Sequence, residues 1–139
     1  MVGAIVLVGT LVLAAVVGFA LRARNGRVRV SGGVEPTVPP EVVAVLEPGA
    51  KVTLVQLSTT FCAPCRHTRV LLADLAGRTD GVAHVDIDLT DRVELARALG
   101  VLRTPTTLAV DARGVELLRV SGVPRRDGLL TALEPHLIG

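Results

Sequence analysis

The twenty residues from Val2 to Leu21 carry no charge, and this run limits how the rest of the chain can fold. As a helix it would span about 30 Å, the thickness of the hydrocarbon core of a bilayer. Inside a soluble domain it would need apolar partners on every side, which a chain of 139 residues with a core of its own cannot supply. A cleaved signal peptide would need a basic stretch before the run and a small-x-small cleavage site after it. Here only the amino terminus precedes it and arginines follow. The expectation is a transmembrane anchor over 1–21 that contacts the lipid bilayer through residues 2–21, with room for one modest domain beyond it.

Arg22, Arg24, Arg27 and Arg29 follow the apolar run directly, and the first thirty residues contain no acid. Removing these four from the 15 basic residues leaves 11 against 13 acidic ones, a net charge of −2 for the remainder. Basic character is therefore confined to the flank of the anchor, and the positive-inside rule places that flank and the following domain in the cytoplasm. The globular part shows no basic patch. With two phenylalanines and no tryptophan or tyrosine, it also lacks the aromatic platforms on which bases stack, so no nucleic-acid partner is expected. Lys51 is the lone lysine, which together with the Ala, Val and Gly content suggests a high-GC bacterial genome.

Residues 22–40 read as a basic juxtamembrane segment and a linker, because Ser31 to Pro40 is rich in glycine and proline and has no apolar periodicity. From 41 to 139 the pattern alternates. A short helix over Glu41 to Leu46 precedes the Pro48-Gly49 turn, and Val52 to Leu57 is the β-branched, apolar run of a strand buried on both faces. Thr68, Leu71, Leu72 and Leu75 recur at helical spacing between Ala63 and about Ala76, and Val82 to Ile87 gives a second strand. Asp91 with Glu94 signals a helix start and Gly100 its stop. Thr106 to Val110 and Val115 to Val120 flank Asp111-Ala112-Arg113-Gly114 as a hairpin, and a last helix around Leu129, Leu130 and Leu133 should end or kink at Pro135. The first βαβ unit implies a parallel pair with a right-handed crossover, and the hairpin adds antiparallel strands.

The only two cysteines lie in Phe61-Cys62-Ala63-Pro64-Cys65, where the first strand gives way to a helix. A helix N-terminus stabilises a thiolate through its free N–H groups and its dipole, which makes Cys62 a candidate nucleophile with Cys65 one turn away to resolve the mixed disulfide. Pro64 suits a first turn, where its missing N–H costs no hydrogen bond. Two other uses of such a pair compete with this. A closed zinc site needs four ligands, and beyond the cysteines there are only His67, His84 and His136. The pair could also be a structural disulfide or two inert thiols.

Strand, Cys-x-x-Cys and helix in this order resemble the thioredoxin family, and the resemblance extends over about Lys51 to Leu137. Asp86-Ile87-Asp88 at the end of a strand, Thr104-Pro105 before the next and Gly122 after the hairpin fall in the family's order. The resemblance implies an α/β thioredoxin-like fold, a central mixed sheet of four to five strands flanked by helices. It implies thiol-disulfide exchange with Cys62 attacking and Cys65 resolving. It also implies a cis Pro105 that turns Thr104 toward Cys62, and a substrate surface made by Phe61, Ala63, Pro64, Thr104 and Pro105. No metal or organic cofactor is needed. The partners are protein disulfides or dithiols and a protein electron donor, since nothing resembles a nucleotide or flavin site.

Two departures stand out. Phe61 occupies the position where thioredoxins commonly carry tryptophan, and Gln56 matches the buried aspartate that takes the proton of the resolving cysteine. Glutamine is no base, so His84, which falls near a family lysine, is the candidate proton acceptor. Many anchored thioredoxin-like proteins work on the outer face of the membrane, so the resemblance opposes the charge asymmetry on the side the domain occupies. A binding or assembly module with little redox turnover is the alternative that Gln56 motivates.

Overall fold

The computed structural model describes residues 1–138; Gly139, the last residue of the expected 41–139 domain, lies outside them. Among the described residues ten elements follow in chain order: α1 (Val2–Arg24), β1 (Val28–Val30), α2 (Pro40–Val43), β2 (Val52–Ser58), α3 (Ala63–Arg78), β3 (Val82–Asp88), α4 (Val93–Ala98), β4 (Thr106–Asp111), β5 (Glu116–Ser121) and α5 (Arg126–Leu137). The strands form one mixed sheet in the order β1-β5-β4-β2-β3. As the βαβ pattern implies, β2 and β3 are parallel, with Gln56 opposite Asp86; β2–β4 and β4–β5 are antiparallel.

Period-two alternation along the interior strand β2 builds two cores. Val55 and Leu57 point to one face and pack with Ile87, Leu108, Val42 of α2 and Leu95 of α4. Val52 and Leu54 point to the other and pack with Leu72 and Leu75 of α3 and with Leu129 and Leu133 of α5. All seven residues of β2 are buried, as expected of a strand covered on both sides.

α1 is long and apolar enough to cross a membrane, and none of its residues is buried in the fold. Within its apolar run Thr10 returns its hydroxyl to the Val6 carbonyl at 2.9 Å, which leaves no unpaired donor there.

The segment expected to be a linker differs from that reading. Val28–Val30 is the edge strand of the sheet, antiparallel to β5 with Val28 opposite Val120, and Val38 is buried in the core. The end of α1 also seats on the domain. The Gly26 N–H donates to the Ser121 carbonyl at 2.8 Å, and Asn25 lies over Gly122. A side chain at Gly122 would put its Cβ 1.8 Å from Asn25 Oδ1, and φ at Gly122 is +86°, so only glycine meets both conditions.

Two helix boundaries also move. α4 is N-capped by Arg92 rather than Asp91, with no side-chain cap, because a turn closed by Arg92 N–H on the Leu89 carbonyl precedes it. α5 runs through Pro135 to Leu137: a proline so close to the end removes one N–H, and Ile138 N–H still reaches the Glu134 carbonyl at 3.3 Å.

Candidate active site

β2 delivers the chain to the N-terminus of α3, where Cys62 is the N-cap. Its extended backbone aims Sγ back over the first turn, and Sγ accepts the Cys65 N–H at 3.2 Å. That N–H is one of those a helix start leaves free, and it lies where a Cys62 thiolate would accept it once the disulfide is reduced. Pro64 lies in the first turn. Cys62 and Cys65 form a disulfide with Cα atoms 5.2 Å apart. Cys65 is 1% exposed, whereas Cys62 is half-buried and open on one side.

The Thr104–Pro105 peptide is cis. Pro105 is buried, and its carbonyl accepts the Gly122 N–H at 2.7 Å. This sets Thr104 across from the disulfide, with its hydroxyl 3.7 Å from Cys62 Sγ and 3.3 Å from the Thr59 hydroxyl. It is thus the Thr104 side chain that meets the sulfur. Phe61, Ala63 and Pro64 are exposed around the disulfide, Phe61 fully. A cavity of about 350 Å³ is lined by Thr60, Phe61, Cys62, Ala63 and Arg66.

Behind Cys65 lies a polar chain on the α3 face of the sheet. The Gln56 amide, fully buried, donates through Nε2 to the Cys65 carbonyl at 2.8 Å. Its Oε1 then faces His84 Nε2 at 3.0 Å and must accept, so His84 carries its proton on Nε2 and keeps Nδ1 as the basic nitrogen. Burial pushes the His84 imidazole below its ordinary pKa. The Asp86 carboxylate opposes this and the Arg69 guanidinium adds to it, and the net effect favours the neutral ring. The structure therefore joins His84 to Cys65 through Gln56 and a backbone carbonyl. Thr68 of α3 and Thr107 of β4, which is in register with Gln56, have buried hydroxyls with no hydrogen-bond partner.

Beside the disulfide, a second cavity of about 330 Å³ is lined by Ser58, Cys62, Cys65, Arg66, Arg69 and Asp86, among others. Arg69 pairs with Asp86 through Nε at 2.6 Å, and Asp86 also accepts from the Ser58 hydroxyl. Sequence reasoning missed this pairing. Its signal was the i,i+4 spacing of Arg69 from Cys65, which puts both on one side of the helix, together with Asp86 at the end of the neighbouring strand. His67 is exposed on α3, and His136 lies on α5, away from these contacts. Among the described residues, no group of three or more His, Cys, Asp or Glu side chains is placed to hold a metal ion.

No protein-family model matches the chain. Individual relatives do. The thioredoxin of Staphylococcus saprophyticus is 32% identical over 87 residues, which is 62% of this chain and 83% of the relative. The chain belongs to the thioredoxin family. The thioredoxin of Staphylococcus epidermidis is likewise 32% identical, over 93 residues that make up 66% of this chain and 86% of the relative. Among solved structures, a mutant thioredoxin from Halobacterium salinarum superposes with a TM-score of 0.61 at 25% identity, covering 78% of this chain and 98% of the other. With this family, this fold and a Cys62–Cys65 pair that closes to a disulfide, the chain is a thiol-disulfide oxidoreductase.

Proposed function

We propose that this oxidoreductase is anchored in a membrane by α1 and exchanges its Cys62/Cys65 dithiol and disulfide with partner proteins at the membrane surface. The observation that carries the cysteine roles is their unequal exposure: Cys62 is open beneath the Thr104 hydroxyl, and Cys65 is buried beneath it in the helix. In the reductive direction, the Cys62 thiolate attacks a partner disulfide. That S–S bond breaks, a mixed disulfide forms and the partner's first thiolate leaves. Cys65 then loses its proton and attacks Cys62 Sγ, releasing the partner's second thiolate. Both partner thiolates take up protons, so the protein's two thiols have become a disulfide and the partner's disulfide two thiols. A protein dithiol must reduce Cys62–Cys65 before the next cycle, or a protein oxidant must do the reverse. Phe61, Ala63 and Pro64 form the rim against which a partner segment rests, with Thr104 and Pro105 opposite.

Gln56 bears on the rate of this cycle. A neutral amide contacts Cys65 where the family has an acid, and His84 turns its protonated nitrogen toward that amide, so the second step depends on water, or on His84 acting through water, to remove the proton. This favours a dedicated membrane-proximal client over general protein reduction, and tethering raises the effective concentration toward such a client. The juxtamembrane arginines support a cytoplasmic domain.

The test uses the full-length protein in detergent or bilayer with a model protein disulfide. Cys62→Ser abolishes exchange, and Cys65→Ser accumulates the mixed disulfide, seen as a band that disappears on reduction. Exchange that survives Cys62→Ser refutes the assignment of roles. Membrane-impermeant maleimide applied to intact cells and to lysates, with and without prior reduction, reads the side: labelling confined to lysates supports the cytoplasmic placement.

A further inference from the structure

On the side of the domain where α1 arrives, a cavity of about 530 Å³ is lined by residues from three separate parts of the chain. Arg24 comes from the end of α1, Arg27 and Arg29 from the entry into the sheet, and Arg103 from the loop before β4. Among the described residues, none of these four guanidinium groups has a carboxylate partner; the six ion pairs present involve other arginines. A fifth lining residue, Arg119, is already matched by Glu116 through two contacts of 2.8 and 2.9 Å, so it adds no uncompensated charge. Four cations therefore converge on one hollow with nothing to balance them. Guanidinium forks fit phosphate oxygens in pairs, which makes a phosphate the anion this geometry suits.

Two further lining residues narrow the choice of phosphate. Leu21 is the last residue of the uncharged run, and Leu102 is 99% exposed, an unusual setting for leucine in a loop that also carries Arg103. Free inorganic phosphate would leave both leucines facing water. A phospholipid would not, because its acyl carbons lie at the level where the apolar run ends and its headgroup at the level of the arginines.

We propose that this groove binds the headgroup phosphate of an anionic phospholipid and so fixes how the redox domain lies on the bilayer. The inference rests on α1 spanning the membrane. Its consequence for the reaction comes from the sequence of the loop. Leu102 and Arg103 immediately precede Thr104 and cis Pro105, so a lipid held by the first two holds the loop that supplies the Thr104 hydroxyl to Cys62 Sγ. The disulfide would then work close to the lipid surface.

The experiment reconstitutes the full-length protein into nanodiscs of phosphatidylcholine and phosphatidylglycerol in equal parts and measures, by native mass spectrometry, which lipid stays with the released protein. Wild type retains phosphatidylglycerol in preference to phosphatidylcholine. Arg103→Gln lowers that preference about fivefold, the effect of one arginine near an anionic surface, whereas Arg22→Gln, outside the groove, changes it little. Equal effects of Arg103→Gln and Arg22→Gln overturn the proposal in favour of diffuse surface charge. Loss of the preference on adding inorganic phosphate overturns the lipid assignment and leaves a phosphate site. Wild type that enters nanodiscs but retains both lipids equally overturns the proposal alone, whereas wild type that fails to enter them overturns the membrane reading with it.

Discussion

The two faces of the sheet are built from the same strands but from different material. Toward α2 and α4 the packing is hydrocarbon, with Val55, Leu57, Ile87, Leu108 and Val110 against Leu95 and Leu99, and the two buried threonines on that side, Thr53 and Thr106, each bond to backbone. Toward α3 the packing starts the same way at Val52 and Leu54 but passes into Gln56, His84, Thr68 and Thr107 as it nears Cys65. One face holds the fold, and the other holds the fold and carries the chemistry. Because successive residues of a strand alternate sides, Gln56 and Leu57 serve these two purposes from adjacent positions.

On this division, damage to the hydrocarbon face costs stability and leaves the reaction alone. Leu108→Ala removes a fully buried side chain and lowers unfolding free energy by about 2–5 kcal/mol, read from denaturant midpoints, while exchange per folded molecule stays unchanged. A parallel loss of exchange would erase the distinction. The converse change is Gln56→Asp, which puts a base next to Cys65. It speeds resolution of the mixed disulfide at neutral pH by about 100-fold in stopped-flow assays and lowers stability, since a carboxylate is now buried. An unaltered rate would mean that the proton of Cys65 leaves by another route.

A smaller effect separates the faces by pH. His84 has a folded pKa below its unfolded value of about 6.5, so between the two the unfolded chain binds more protons. Stability contributed by the neutral ring is present above about pH 6.5 and is lost as pH falls from there toward the folded value. His84→Gln should flatten that part of the stability profile in urea titrations across this range, and a slope that persists would have to come from another group. The smallest effect is a gain. Thr107 buries an unpaired hydroxyl, and Thr107→Val relieves that cost and raises stability by about 1 kcal/mol, measurable as a higher midpoint.

The sequence was most legible where the chemistry is local. A cysteine pair at a strand-to-helix junction and a Thr-Pro before a strand are short-range signals, and the structure puts Cys62, Cys65 and Thr104 in contact while Pro105 supports the turn. β1 escaped notice because it is three residues long, lies among arginines and is followed by glycines and prolines. What makes it a strand is β5, with Val28 paired to Val120 across most of the chain, and no local pattern reports such a partner. His84 shows a different limit. Its neighbourhood was readable from strand register, but its link to Cys65 through the Gln56 amide depends on which end of that amide meets the Cys65 carbonyl, and this takes side-chain geometry.

Gly122 ties the distant parts together. Its N–H holds the Pro105 carbonyl, and its bare Cα admits Asn25 from the end of α1. If α1 crosses a bilayer as proposed, this shared contact turns the domain from a weight on a string into an arm on a fixed bracket. A string would let Cys62 sample a hemisphere of partners. A bracket would present it at one height above the lipid, and partners would then be selected by how far their own cysteines stand from the membrane as well as by surface fit.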